Sequence, residues 1–493
     1  MQLDTLIQAL TVRSVTGAQA ADREVRGIAF DSRKVAPGFL FVAVPGTRVD
    51  GHDYLEGARS AGALAVVIQE DHPRAQNLDA GDLTVITVPD SAAALAEAAD
   101  AWYDSPSRSV KLVGVTGTNG KTTVATLLHD LYTALGFRAG LLSTVEIRIG
   151  RERKDATHTT PDALAIQAAL AEMRDARVDY VFMEVSSHAV HQKRTLGLDF
   201  DGGVFTNITH DHLDYHGTFA EYLKAKKAFF DQLPKHAFAL VNADDRHGSV
   251  MLQNTEAARH RYSLRSNVEF HGRLISNTPQ GLQLEINGTE VFFSLLGRFN
   301  AYNLLAAYGT AVLLGQYEQE ILVSLSALKG AEGRLEAVAD PAGRVTALVD
   351  YAHTPDALQN VLETLRALLP EGHRLTCVVG AGGDRDRTKR PEMARIAARL
   401  ADQVILTSDN PRSESPEAIL AEMEAGLEPG DMSRVLRITD RRQAIRTAVR
   451  LGHEVVLVAG KGHETYQEVQ GQRLPFDDRK ELAQALKEFA RVN

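Results

Sequence analysis

Residues 116–123 read Thr-Gly-Thr-Asn-Gly-Lys-Thr-Thr and follow an apolar run, Val110–Val115. Beyond them Val124, Leu127, Leu128, Leu131 and Leu135 recur at helical spacing, and Gly136 is placed to end the helix. Strand, glycine loop, Lys-Thr and helix is the arrangement in which backbone N–H groups and a helix N-terminus cradle phosphates. Gly117, Thr118, Asn119, Gly120 and Thr123 form the cradle, Lys121 serves the terminal phosphates, and Thr122 offers its hydroxyl to Mg²⁺. The strict phosphate-loop pattern asks for glycine at 115, where Val115 stands; glycines occupy 114, 117 and 120 instead. A nucleoside triphosphate is the ligand this segment points to.

Other groups with chemical potential sit at the ends of apolar runs. Glu184 closes Tyr180–Val185, where a carboxylate either holds Mg²⁺, a hard cation that prefers oxygen, or simply neighbours a helix N-cap. His210, Asp211, His212, Asp214 and His216 are dense enough for metal or phosphate work, although single histidines in such sets are often structural. In the segment 219–233, Phe219, Tyr222, Leu223, Phe230 and Leu233 mark one helical face, with Lys226 at its centre and Lys224 nearly opposite. Lys226 either snorkels out along its aliphatic stem or is buried with a lowered pKa and neutralised by CO₂ as a carbamate.

Short buried strands alternating with helical patterns must position these groups, which predicts parallel α/β sheets. One set of runs is Val110–Val115, Tyr180–Val185, Gly203–Asn207 and Ala237–Asn242; a second is Val345–Asp350, Leu375–Gly380, Gln403–Ser408 and Glu454–Gly460. Ligands of open α/β sheets bind beyond the carboxyl ends of the strands, where His, Asp, Glu and Arg are concentrated here. The expected architecture is three α/β domains: a smaller N-terminal domain over 1–90, a central phosphate-loop-type doubly wound domain over 91–335, and a Rossmann-like C-terminal domain over 336–493. The 493 residues carry 54 Lys+Arg against 64 Asp+Glu, a formal charge of −10, which argues against a dedicated nucleic-acid binder. The single cysteine, Cys377, rules out an intrachain disulfide. No apolar run approaches the roughly 20 residues that span a bilayer, and the start lacks a basic secretory signal; a cytoplasmic monomer is expected.

Taken together, TGTNGKTT at 116–123, MEVSSH at 183–188, TNITHDHLDYHG at 206–217 and GRFNAYNLLAA at 297–307 resemble the Mur ligases. So do DYAHTPD at 350–356, GAGGDRDRTKRP at 380–391 and AGKGHE at 459–464, and the resemblance covers essentially the whole chain. These are ATP-dependent amide-forming enzymes of bacterial peptidoglycan precursor synthesis. DNPR at 409–412 resembles members that add meso-2,6-diaminopimelate to UDP-N-acetylmuramoyl-L-Ala-D-Glu. A lysine-adding member and a folylpolyglutamate-type ligase are the alternatives.

The resemblance implies site residues. Ser32, Thr47, Arg48 and Val49 match contacts to the nucleotide-sugar, and Thr159, Thr160, Ser186, Gln192 and Arg194 match contacts to the dipeptide and sugar. Thr160-Pro161-Asp162 also reads as a helix start, with Thr160 as N-cap and Pro161 at the first position. Asn300 and Asn303 match adenine contacts, though such a pair otherwise reads as solvated; Arg334 and Asp350 match interdomain residues that reach ATP on closure. Lys226 falls on a carbamylated position, and with Glu184 and His212 it would hold a second Mg²⁺. Arg385, Asp409, Asn410, Pro411, Arg412, Gly460 and Glu464 match the amino-acid site. On residue chemistry alone, DNPR reads as an Asn-Pro turn with a surface arginine.

Overall fold

β-Branched and aliphatic residues bury on both faces of a parallel sheet, and each apolar run forms a strand at or within two residues of its expected bounds. The computed structural model describes residues 1–18, 23–46, 49–74, 81–150, 152–155, 159–209, 211, 213–278, 280–370 and 372–492. Among these, the strands form a five-stranded, an eleven-stranded and a six-stranded sheet and a two-stranded ribbon. The expected α/β class holds.

In the largest sheet Gly202–Phe205, Lys111–Thr116 and Tyr180–Glu184 are parallel neighbours, so Thr116, Glu184 and Thr206 emerge side by side. Lys111–Thr116 lies between two strands that follow it in the chain, which opens a crevice at its carboxyl end. Gly114, rather than position 115, meets the close-packing need in this strand. A Cβ there would stand 2.5 Å from Phe229, while Val115 is fully buried. Antiparallel strands, Phe270–Thr278, Gly281–Ile286 and Thr289–Phe293, extend the sheet at one edge.

The six-stranded sheet places Thr346–Asp350, Val455–Ala459, Leu375–Val379 and Gln403–Leu406 in parallel register. Their carboxyl ends bring the 350–356, 380–386, 409–412 and 460–464 segments to one edge. In the five-stranded sheet Gly27–Ala29, Phe39–Val42, Ala65–Gln69 and Thr84–Val88 are parallel, with Ser14–Gly17 antiparallel at the rim. The helix Ser91–Trp102 buries Ala94, Leu95, Ala98 and Ala99 in the same core as this sheet's Leu40, Val67 and Ile86. No helix among the described residues is long and apolar enough to cross a membrane.

Candidate active site

The helix Lys121–Ala134 starts at Gly120, whose φ of 86° suits glycine. Gly117 is needed for closeness as well, since a Cβ there would lie 1.9 Å from Thr206 Oγ1. The loop is laced to the neighbouring strand end. Thr118 N–H donates to the Asn207 carbonyl at 2.8 Å, Asn119 N–H to Asn207 Oδ1 at 3.0 Å, and Thr206 Oγ1 to the Asn119 carbonyl at 2.6 Å. A loop held this way presents its remaining amides without reorganisation, which is what anion binding at a helix N-terminus requires.

Two amines, Lys226 fully buried and Lys121 half-buried, share one acceptor. Lys121 Nζ donates to the Gly117 and Thr118 carbonyls at 2.9 and 2.8 Å, and Lys226 Nζ donates to the same Gly117 carbonyl at 2.8 Å. Lys226 lies in the helix Phe219–Asp231 and is 1% exposed, whereas the Lys224 side chain is 77% exposed. Lys226 therefore does not snorkel. Burial, then the nearby Lys121 charge, push its pKa well below the ordinary lysine value, against a smaller pull from Asp211. Burial lowers Lys121 too, opposed by Glu184 and Asp211. The Tyr222 ring flanks the Lys226 ammonium at 4.7 Å.

Glu184 is fully buried. Its Oε2 accepts from Thr122 Oγ1 at 3.0 Å and its Oε1 from Thr144 N–H at 2.6 Å. It has no direct ion pair among the described residues; its hydrogen bonds come from neutral donors, and Lys121 acts on it only through space. Thr122 Oγ1 also accepts from Arg334 Nη2 at 3.1 Å, a contact made from the segment that joins the second and third sheets. Asp350 does not touch the loop directly; it accepts from Leu335 N–H at 2.7 Å and so holds the backbone beside Arg334.

Thr160 is not the N-cap that its neighbour Pro161 suggests. The helix runs Ala163–Asp175 with Asp162 as cap, because the Thr160 hydroxyl is engaged elsewhere, donating to the Glu184 carbonyl and accepting from Ser186 N–H at 2.8 and 3.0 Å. Arg194 Nη1 donates to the Thr160 carbonyl, and its Nε and Nη2 donate to Gln192 Oε1. Ser186 caps the helix Ser187–His191. Thr160, Ser186, Gln192 and Arg194 thus form one network behind Glu184, with half-buried Thr159 next to it in the chain.

Asn300 and Asn303 are buried, not solvated. Asn303 Nδ2 donates to Asn300 Oδ1 at 2.9 Å, and Asn303 Oδ1 closes on Gly120, where a Cβ would be 2.5 Å away. His212, Thr47 and Arg48 lie outside the described residues. Ser32 opens the 3-10 turn Ser32–Lys34 after the strand Gly27–Ala29, and Val49 is 54% exposed; both belong to the first sheet's unit, away from the phosphate loop in the chain.

At the third sheet's edge Lys461, fully buried, donates to Asn410 Oδ1 at 3.0 Å and Glu464 Oε2 at 2.9 Å, with Asp409 Oδ1 at 3.5 Å. Gly460, with φ 118°, lets the backbone pass Asp409: a Cβ there would be 3.0 Å from Asp409 Oδ2. Arg412 is not a loose surface arginine. Its Nη1 donates to the Gly383 carbonyl at 2.7 Å, and the carbonyl of Pro411 packs against the same glycine. Arg385 is exposed, with Nη1 3.4 Å from the Asp384 carbonyl.

Arg334 was expected at the junction, but sequence reasoning gave Asp211 only metal or phosphate work and missed Lys389 and Asp356, which also join the sheets. Lys389 pairs with Asp211 at 2.6 Å. Asp356 accepts from Asn119 Nδ2 at 2.7 Å and Thr209 Oγ1 at 3.1 Å. A cavity of about 680 Å³ lies along this junction, lined by Thr209, Asp211, Phe219, Asp356, Asp386 and Lys389 among others. All three sat inside quoted motifs, but no periodicity marks a residue as an interdomain contact.

Three family models match successive parts of the chain: Mur ligase family, catalytic domain, at 24–103; Mur ligase middle domain at 115–311; and Mur ligase, glutamate ligase domain, at 333–462. A UDP-N-acetylmuramoyl-L-alanyl-D-glutamate--2,6-diaminopimelate ligase of Cytophaga hutchinsonii is 52% identical over 491 residues, covering 99% of this chain and 100% of the relative. One of the same description from Geobacillus thermodenitrificans is 42% identical over 502 residues, covering 99% and 100%. A solved structure of a ligase with that description superposes with TM-score 0.66 at 33% identity, covering 97% of both chains. A Mycobacterium tuberculosis folylpolyglutamate synthase complexed with ADP and AMPPCP shares the fold at 20% identity and TM-score 0.62, covering 75% of this chain and 92% of that one.

Proposed function

The chain belongs to the Mur ligase family, and from that premise we propose that it joins meso-2,6-diaminopimelate to the D-Glu γ-carboxylate of UDP-N-acetylmuramoyl-L-Ala-D-Glu, with ATP cleaved to ADP and phosphate. The relatives that match from end to end are described as diaminopimelate ligases, whereas the folylpolyglutamate synthase fold leaves a quarter of this chain unmatched. The observation that carries the reading is the pair of amines on the Gly117 carbonyl, buried Lys226 and half-buried Lys121, beside the buried carboxylate Glu184. Such a site is completed by anions and a divalent cation together.

A carboxylate does not accept an amine at neutral pH, because its leaving group would be oxide. Transfer of the γ-phosphoryl group to the substrate carboxylate makes an acyl phosphate and ADP. The amine then attacks the acyl carbon, the amide bond forms, and phosphate and a proton leave. Lys121 and the loop amides hold the phosphoryl oxygens, so their contribution is positioning and charge stabilisation. Burial lowers the pKa of Lys226, which favours the uncharged amine, the form of lysine that adds CO₂ to give a carbamate and a proton. Thr122 would hold one Mg²⁺, and Glu184, His212 and the Lys226 carbamate a second, whose charge would support phosphoryl transfer; the hydroxyl and carboxylate oxygens are the hard donors that such an ion prefers.

In this reading the 1–90 unit takes the uridine nucleotide through Ser32 and Thr47–Val49, and the 91–335 unit takes ATP, with Asn300 and Asn303 toward the adenine. The 336–493 unit brings the amino acid through Arg385, Asp409–Arg412, Gly460 and Glu464. Arg334, already on Thr122, and Asp350 behind it supply the interdomain contact to the nucleotide. A substrate-omission assay tests the function. ADP release is expected only when ATP, UDP-muramoyl dipeptide and diaminopimelate are all present, and equal turnover with L-lysine would defeat the choice of amino acid.

A further inference from the structure

Lys461 stands between two glycines, a setting that suits a solvated loop, yet its side chain is completely buried. A buried ammonium is costly unless its protons are satisfied. Here every acceptor around it belongs to the two loops that the proposed reading gives to the amino acid: Asn410 Oδ1, Glu464 Oε2 and Asp409 Oδ1.

The consequence for Glu464 is specific. Its Oε2 accepts twice, from Lys461 Nζ at 2.9 Å and from Asn410 Nδ2 at 2.7 Å. Asn410 cannot turn its amide round, since its Oδ1 also accepts from Glu468 N–H at 2.9 Å. Glu464 Oε1 makes no hydrogen bond among the described residues. The charges point the same way. Arg441 is neutralised by Asp478, both fully buried, through donation to each carboxylate oxygen at 2.8 and 2.7 Å. Asp409 and Glu464 against Lys461 then leave one negative charge, the complement of one ammonium group. Without the lysine, the two acids would face each other with no cation between them, and Glu464 Oε2 would lose its charged donor.

We propose that Lys461 is a positioning residue for the amino-acid substrate: it pins one oxygen of Glu464 and leaves the other to receive the substrate's ammonium group. This rests on the diaminopimelate-ligase reading, and the test separates the two. The experiment is steady-state kinetics of the full-length Lys461→Met variant, varying each of the three substrates in turn.

The KM for meso-diaminopimelate is expected to rise about ten- to a hundredfold, as loss of charge-assisted hydrogen bonding implies. The KM values for ATP and the UDP-dipeptide, and kcat at saturation, are expected to stay within about twofold, because no uniform binding to those substrates is lost. An unchanged diaminopimelate KM, a parallel rise of all three KM values, or a fall in kcat alone overturns the proposal. Lys461→Gln is read by the same criteria if the methionine variant does not fold, and failure of both to fold assigns Lys461 a structural role and overturns it too. If the unaltered enzyme releases ADP without diaminopimelate, the ligase reading itself fails.

Discussion

Lys226 and Lys121 donate to one carbonyl oxygen, that of Gly117, although they are carried by different helices. The arrangement is electrostatically unfavourable for the empty chain and favourable once anions arrive. Replacing Lys226 separates these effects. Its pKa lies below the unfolded value, so its destabilising influence grows as pH falls from the ordinary lysine range and is complete only once the pH is below the folded value. Lys226→Met is expected to raise the melting temperature of the ligand-free protein in CO₂-stripped buffer by roughly 2–4 °C. The same variant should lose activity by about a hundredfold or more, and Lys226→Ala should recover part of it with a short carboxylate. Intact mass of active enzyme showing only the bare amine would refute the carbamate.

Arg412 is held by the Gly383 carbonyl in a left-handed backbone conformation, φ 52°, which aims a rigid fork rather than a flexible arm. Diaminopimelate differs from lysine by a carboxylate at its far end, and a guanidinium fork grips that group. Arg412→Ala is expected to lower kcat/KM for diaminopimelate by roughly a hundredfold while leaving the slow lysine reaction nearly unchanged. Competition between the two amino acids measures the ratio; an unaltered ratio would remove Arg412 from the discrimination.

The Lys389–Asp211 pair joins the second and third sheets at 2.6 Å, with the Asp211 side chain 7% exposed. Lys389→Met removes the cation and leaves a largely buried acid, which weakens the junction. Small-angle scattering of the ligand-free variant is expected to give a larger radius of gyration than the unaltered protein, and kcat to fall about tenfold, since groups from separate units must meet for the reaction. Equal radii would show that the pair does not hold the units together.

His463 contributes a pH dependence of known sign. Burial first, then the Arg334 and Arg479 charges, lower its pKa to about 3. The unfolded chain takes up a proton near pH 6.5 and the folded chain does not, so stability is lost as pH falls between 6.5 and 3, by at most about 1.4 kcal/mol per pH unit. His463→Phe should flatten the fall in melting temperature between pH 7 and 4.5. A steeper fall in the variant would contradict the assignment.

The phosphate loop and the inward-facing position of Lys226 were legible in the sequence because both rest on local periodicity: a strand, a glycine turn and a 3.6-residue repeat that puts 226 inward and 224 outward; whether the amine snorkels or is buried was not, because periodicity fixes a direction and not a depth. Thr160 misled because Thr-Pro imitates a capped helix start, and only the distant Ser186 amide and Glu184 carbonyl reveal where its hydroxyl goes. Lys461 and Asp356 were not legible as contacts. Lysine between glycines reads as solvated, and Asp356 meets Asn119 across 237 positions of chain, a relation that exists only after two sheets dock.

Gly333 has its own bearing on Arg334. With φ 67°, it passes so close to the 462–463 backbone that a Cβ would lie 2.2 Å from the His463 amide nitrogen. The next residue reaches back to the phosphate loop's threonine. The linker is therefore a measuring rod rather than a slack tether: its length, set against the third sheet at one end and Thr122 at the other, records whether the two halves are in reach of each other. An inserted residue between 327 and 333 would leave both halves folded and each able to bind its own ligand, yet deaf to the other's occupancy.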